Sequence, residues 1–241
     1  LFCRISGGHM DRSIKPVDVV YGGALGAQTR QRVLRNTYAL LALSMVPTVL
    51  GAWLGMSMGF TFFSGSPLIG LVAFMAIAFG FFFAIEKFKN SGIGVALLLG
   101  FTFFMGLMLS RMLGYVTSLS NGSQIIALAF GTTAVIFAAM ASLAGSIKRD
   151  LSGMGKMLFV GMLVILAAVV ANIFLQIPAL SLTISALVAV LFSAFLLYDL
   201  KRIMDGGETN YITATLSVYL NVYNIFSSLL HLFTAFGGND D

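Results

Sequence analysis

The sequence predicts an all-α integral membrane protein, a bundle of seven transmembrane helices with the C-terminal helix at its centre. Three observations predict it. The first is composition: of 241 residues, 59% are hydrophobic and 10% charged, with a mean hydropathy of +0.97. Soluble domains carry about 25% charged residues. A chain this poor in charge cannot cover a surface that faces water, so a bilayer is the environment that suits it. The second is a series of seven apolar runs, each near the roughly 20 residues that cross a bilayer as a helix. The third is a polar stripe in the last run. In "SVYLNVYNIFSSLLHLF", Ser217, Asn221, Asn224, Ser228 and His231 are spaced 4, 3, 4 and 3 residues apart. That spacing puts all five groups on one face of a helix. Such a face in hydrocarbon must turn inward, either to bond neighbouring helices or to line a hydrated path. Tyr219, Tyr223, Phe226 and Leu230 are expected on the other sides of that helix.

From the N-terminus, residues 1–9 ("LFCRISGGH") read as an expression-tag remnant, with Met10 as the native start. Cys3, the one cysteine, falls in that remnant, so a His/Cys zinc site lacks ligands. Residues 10–36 are polar and end in the basic "TRQRVLRN". They have no continuous apolar core of the kind a cleavable signal peptide needs. They are expected to form a flexible cytoplasmic tail, with helix near Arg30–Arg35.

The membrane domain, residues 37–236, divides into spans at 37–57, 67–85, 92–110, 123–146, 157–176, 180–203 and 211–236, and residues 237–241 form a C-terminal tail. Pro67 opens the second span, where a missing amide donor costs nothing, and Pro178 separates the fifth from the sixth. On the first span, Gly51, Gly55 and Gly59 recur every fourth residue, a spacing that lets helix backbones approach closely. Asn172 and Gln176, near the end of the fifth, are expected to bond a neighbouring helix.

The net charge of +5 comes from Lys and Arg grouped beside the span ends, which is the pattern of membrane topology and not of a nucleic-acid surface. Arg30, Arg32 and Arg35, then Lys87 and Lys89, then Lys148, Arg149 and Lys156, then Lys201 and Arg202 alternate with loops that hold only Arg111. The positive-inside rule therefore places the N-terminus in the cytoplasm and the C-terminus outside.

Several chemistries lack their parts. A retinal protein needs a lysine in its last helix, and the seventh span has none. "YD" at Tyr198–Asp199 supplies one aspartate of an intramembrane aspartyl protease, but the seventh span has no carboxylate to share its proton. Ser227 and His231 lie four apart, yet no nucleophile elbow or oxyanion donor accompanies them. No enzymatic activity is expected, and no cofactor. Asp199 remains as the one carboxylate within a span, a functional candidate by default unless it pairs with Lys201 or Arg202 at the interface. In the loop "MDGGETN", Gly206 and Gly207 permit a tight turn, and Thr209 or Asn210 can cap the last helix. Asp205 and Glu208 make the same loop a candidate cation-binding or docking site, with Glu208 also favoured beside a helix N-terminus.

The stretches "QRVLRNTY", "GTTAVIFAAMA", "KRDLSGMGKML", "ANIFLQIPAL", "LLYDLKRI" and above all "GGETNYITATLSVYLNVYNIFSSLL" resemble the Bax inhibitor-1 (transmembrane Bax inhibitor motif) family, most closely its bacterial YccA-like branch. The likeness covers about Val33 to Phe236. It implies a seven-helix fold with the last helix enclosed, in the bacterial inner membrane. It also implies two functions. One is modulator and substrate of the membrane AAA protease FtsH, engaged through the N-terminal tail. The alternative is a pH-sensitive calcium or cation leak, with Ca2+ or H+ passing Asp199, Asn221, Asn224, Ser217 and Ser228. In the calcium-leak members an aspartate late in the sixth helix pairs with one in the seventh. The first matches Asp199; the second falls at Asn221. An amide there removes the like-charge repulsion between two carboxylates and leaves an aspartate–amide hydrogen bond. It also takes a carboxylate from Ca2+, which seeks six to eight oxygens. Membrane lipid is the one partner that composition requires; the oligomeric state is left open.

Overall fold

Hydropathy marks where a chain meets hydrocarbon, whereas backbone hydrogen bonding decides where a helix ends, and the two differ most at the N-terminus. In the computed structural model the first helix, α1 (Pro16–Ser57), starts 21 residues before the expected span at residue 37. The expected flexible tail is therefore helical from Pro16 onward. A helix of 42 residues is about 63 Å long, roughly twice a bilayer's hydrocarbon thickness. Its apolar portion is Gln28–Ser57, so the part before Gln28 extends past the membrane. The structure describes residues 16–60, 67–149, 151 and 153–238, with side chains from residue 28 onward except Pro67. The expected tag remnant, residues 10–15 of the tail and residues 239–241 lie outside the described residues.

Six further helices follow: α2 (Pro67–Phe88), α3 (Gly92–Thr117), α4 (Gly122–Ser146), α5 (Met154–Leu175), α6 (Pro178–Met204) and α7 (Tyr211–Gly237). All seven are long and apolar enough to cross a membrane. No strand occurs among the described residues. Several helices run past their expected ends because charged residues finish a helix as readily as they start a loop. Lys87, Lys201 and Arg202 occupy last turns, where cations complement the helix dipole. Arg111 lies inside α3 and not in an outer loop.

The closest helix pairs are α1 on α3 and α6 on α7, and α7 packs against α1, α2, α3, α4 and α6. The α1–α3 seam rests on glycine. Gly51 has no room for a side chain against the Phe103 carbonyl of α3, and Gly106 has none against the Thr48 carbonyl of α1. Gly55 faces Ser110, whereas Gly59 lies beyond the helix at φ +61 in open space and takes no part. The glycine spacing thus serves packing within the bundle at two of its three positions.

The basic ends gather on one side. Asn210 caps α7, its Oδ1 accepting from the amides of Ile212 (2.9 Å) and Thr213 (3.3 Å). Its Nδ2 donates to the Lys89 carbonyl and to Asn90 Oδ1, each at 2.9 Å, so one residue ties the α6–α7 loop to the α2–α3 turn. Gly206, at φ +81, makes the tight turn after α6, and the Arg30 side chain of α1 lies against it. On the opposite side Asn121 Nδ2 donates to the Gly237 carbonyl at 2.6 Å, joining the α3–α4 turn to the end of α7. Asn172 does not bond another helix: its Oδ1 accepts from the Ile177 amide at 3.1 Å, finishing α5 beside Gln176 in the left-handed region (φ 51).

Candidate functional site

Asp199 and Asn221 stand 22 residues apart in sequence, on α6 and α7, in the half of the bundle nearer the basic ends. The Asn221 side-chain amide donates to Asp199 Oδ2 at 2.7 Å, and Asn221 is 4% exposed. A charge-assisted hydrogen bond of this length is among the stronger polar contacts a protein makes. Asp199 does not pair with the adjacent cations. Lys201 binds Asp205 at 2.8 Å, and Arg202 binds Glu208 at 3.2 Å. The interfacial pairing open to Asp199 is thereby taken by the loop carboxylates.

Glu208 organises this end of the site. Its Oε1 accepts from the amides of Thr209 and Asn210, each at 3.0 Å, while Oε2 receives Arg202 Nη2. Asp199, Arg202, Ile203, Glu208, Ala214 and Ser217 line a crevice of about 10 Å³. That volume is at the threshold for a single water molecule. Of the expected path, Asp199, Asn221 and Ser217 come together here, and Glu208 joins them from the loop. Asp205 faces outward, half exposed in its pair with Lys201.

The remaining stripe residues do not continue the cluster. Asn224 Nδ2 turns back to the Leu220 carbonyl of its own helix at 2.8 Å. Ser228 is buried at 7% exposure. His231 Nδ1 meets Ser185 Oγ of α6 at 2.8 Å, not Ser227, whose hydroxyl donates to the Asn224 carbonyl. Ser185 Oγ also lies 3.0 Å from the Ser181 carbonyl, so this hydroxyl links the imidazole to the α6 backbone.

Three residues expected away from the inward face are also inside, among them Leu230, which is fully buried. Tyr219 is 1% exposed, its hydroxyl 2.9 Å from Thr48 Oγ1 and 3.4 Å from the Thr102 carbonyl. Tyr223 donates to the Met105 carbonyl at 3.2 Å. With neighbours on several sides, α7 has polar contacts on the face toward α6 and on the face toward α1 and α3. Among the described residues no three His, Cys, Asp or Glu side chains are grouped to hold a metal.

With this arrangement in hand, comparison with known proteins is decisive for lineage. The family described as "Inhibitor of apoptosis-promoting Bax1" (Bax1-I) matches residues 30–238. The chain belongs to the Bax inhibitor-1 family. Among Bax inhibitor-1 relatives, an uncharacterised protein of Neisseria meningitidis serogroup A is 38% identical over 92% of this chain and 98% of its own. A Vibrio cholerae protein described as an uncharacterised membrane protein is 37% identical over 87% of this chain and 92% of its own. "Modulator of FtsH protease YccA" of Escherichia coli K12 is 38% identical over 83% of this chain and 89% of its own. A further Escherichia coli relative at the same identity is described as "Inner membrane protein YccA". The match to the family begins at Arg30, where α1 meets the basic loops, and ends one residue after α7. It therefore takes in the apolar bundle and the Asp199–Asn221 site.

Proposed function

We propose that this chain is a bacterial inner-membrane modulator and substrate of the membrane protease FtsH, gripped through its N-terminal segment on the cytoplasmic side. The observation that carries the reading is the extended likeness to the Escherichia coli protein named as a modulator of that protease, which spans most of both chains. The course of α1 supports it. A helix that continues past the apolar span at Gln28 back to Pro16 provides a handle outside the membrane, on the side where Arg30 meets the loops. Removal of residues 11–30 should lengthen the protein's half-life in FtsH-replete cells at least threefold, measured by pulse-chase, with no change in FtsH-depleted cells. Equal turnover with and without the segment would remove its role as the handle.

The second reading is a cation or proton leak along the α6–α7 seam. It is favoured by the placement of Asp199 in the half of the bundle that opens, through the Ser217–Glu208 crevice, toward the basic face. It is weakened by Asn221. A divalent cation would find the Asp199 carboxylate already hydrogen-bonded to an amide and the other carboxylate of the crevice, Glu208, already paired with Arg202.

A further inference from the structure

Between α1 and α4, with Val222 of α7 as its floor, lies a cavity of about 330 Å³ lined by Tyr38, Leu41, Met45, Phe130, Thr133 and Phe137. This is within the size range of small-molecule sites. The lining is apolar; its one aliphatic hydroxyl, Thr133 Oγ1, is directed to the Ala129 carbonyl of its own helix at 2.7 Å. Tyr38 and Phe137 meet edge to face across one end, their ring centroids 6.0 Å apart. From Tyr38 to Met45 the cleft follows α1 for about 10 Å. Ala42 and Ala134, both exposed, are the small residues on its two walls. Their neighbours Leu43 and Val46 on α1, and Phe130 and Val135 on α4, are 50–68% exposed and face the hydrocarbon. A dry apolar space open to the bilayer is filled by hydrocarbon, because water has no polar partners in it.

Charge selects which hydrocarbon. The Tyr38 end of the cleft points toward the basic side of the bundle. Arg35 is exposed one turn before Tyr38 on the same face of α1, and Lys148 is exposed two residues beyond the end of α4. The two helices that wall the cleft thus carry exposed cations toward the basic side, Arg35 within α1 and Lys148 just past α4. We propose that this cleft is a binding site for one anionic glycerophospholipid of the leaflet on the basic side, an acyl chain lying between α1 and α4 and the phosphate drawn toward the basic side by Arg35, one turn from the end of the cleft, and by Lys148 beyond it.

The test uses the full chain reconstituted in vesicles of equal phosphatidylglycerol and phosphatidylcholine, then released for native mass spectrometry. The wild type should retain one phosphatidylglycerol, in preference to phosphatidylcholine by about tenfold, a size in keeping with two basic residues near an anionic surface. Arg35→Gln with Lys148→Gln, both at exposed positions, should abolish the preference while a lipid is still retained. Ala134→Trp and, separately, Ala42→Phe should block the cleft and cut retention at least fivefold, with thermal melting to show that the bundle is intact. Either blocked variant melting like the wild type yet holding as much lipid overturns the proposal. So does a wild type that holds no lipid, holds both lipids equally, or carries a bound peptide in place of lipid.

Discussion

Gly106→Ala should cost about 3 kcal/mol and lower the midpoint of thermal unfolding in detergent by roughly 6–12 °C. The reason is contact between backbones. A methyl group on Gly106 runs into the Thr48 carbonyl, with the Ala52 amide nitrogen 3.0 Å away, and neither is a flexible side chain that can swing aside. The reciprocal site, Gly51 against the Phe103 carbonyl, is equally closed, so α1 and α3 would have to separate along their whole contact. Gly131 of α4 provides the comparison. Nothing lies within 4 Å of its added Cβ, so Gly131→Ala should stabilise the helix by about 0.5–1 kcal/mol. Equal effects at the two positions would refute the packing account of the seam.

Asn221→Leu should be the most damaging change at the candidate site. It leaves the Asp199 carboxylate in the bundle without the amide that holds it at 2.7 Å. Leaving a buried carboxylate without its hydrogen-bond donor costs about 2–3 kcal/mol, more than the hydrogen bond itself contributes. Asp199→Asn keeps a hydrogen-bonding partner for Asn221 and should cost less than half as much. Asn221→Asp places two carboxylates within hydrogen-bond reach, which then titrate as a pair and share a proton. In proteoliposomes this variant should pass calcium with a dependence on pH that the wild type lacks. Thermal melts and a calcium-dye assay on the same preparations separate the two effects. Wild-type flux that varies with pH and vanishes in Asp199→Asn would move the reading from protease modulator to leak.

The fold was legible because burial in lipid is written into composition: each apolar run became a helix, with ends displaced by no more than seven residues in α2 to α7. The start of α1 was not legible in the same way, since polar residues from Pro16 onward can continue a helix with its backbone bonds satisfied. At the site, the Asp199–Asn221 contact could be read from the sequence only through likeness to relatives. Spacing brought Asn221, Asn224, Ser228 and His231 to one face but did not distinguish a side chain that reaches α6 from one that returns to its own carbonyl, as Asn224 does. Tyr219, Tyr223 and Leu230 lie inside, against the stripe's expectation, because a single polar stripe describes a helix with one inward face, whereas α7 has neighbours on several. Asn210 had a readable role as a cap, from its type and position before α7. Its second role, tying two loops 120 residues apart, depends on how the loops meet and leaves no local signal.

The proposed action of this Bax inhibitor-1 family member on FtsH can be measured directly. The direct measurement is degradation of a membrane substrate by purified FtsH in proteoliposomes, with this protein added in increasing ratio. Substrate turnover should fall several-fold as the ratio rises, the protein should itself be slowly consumed, and the variant lacking residues 11–30 should no longer be consumed. Substrate degradation at an unchanged rate, with the full-length protein intact at every ratio, would contradict the proposed action.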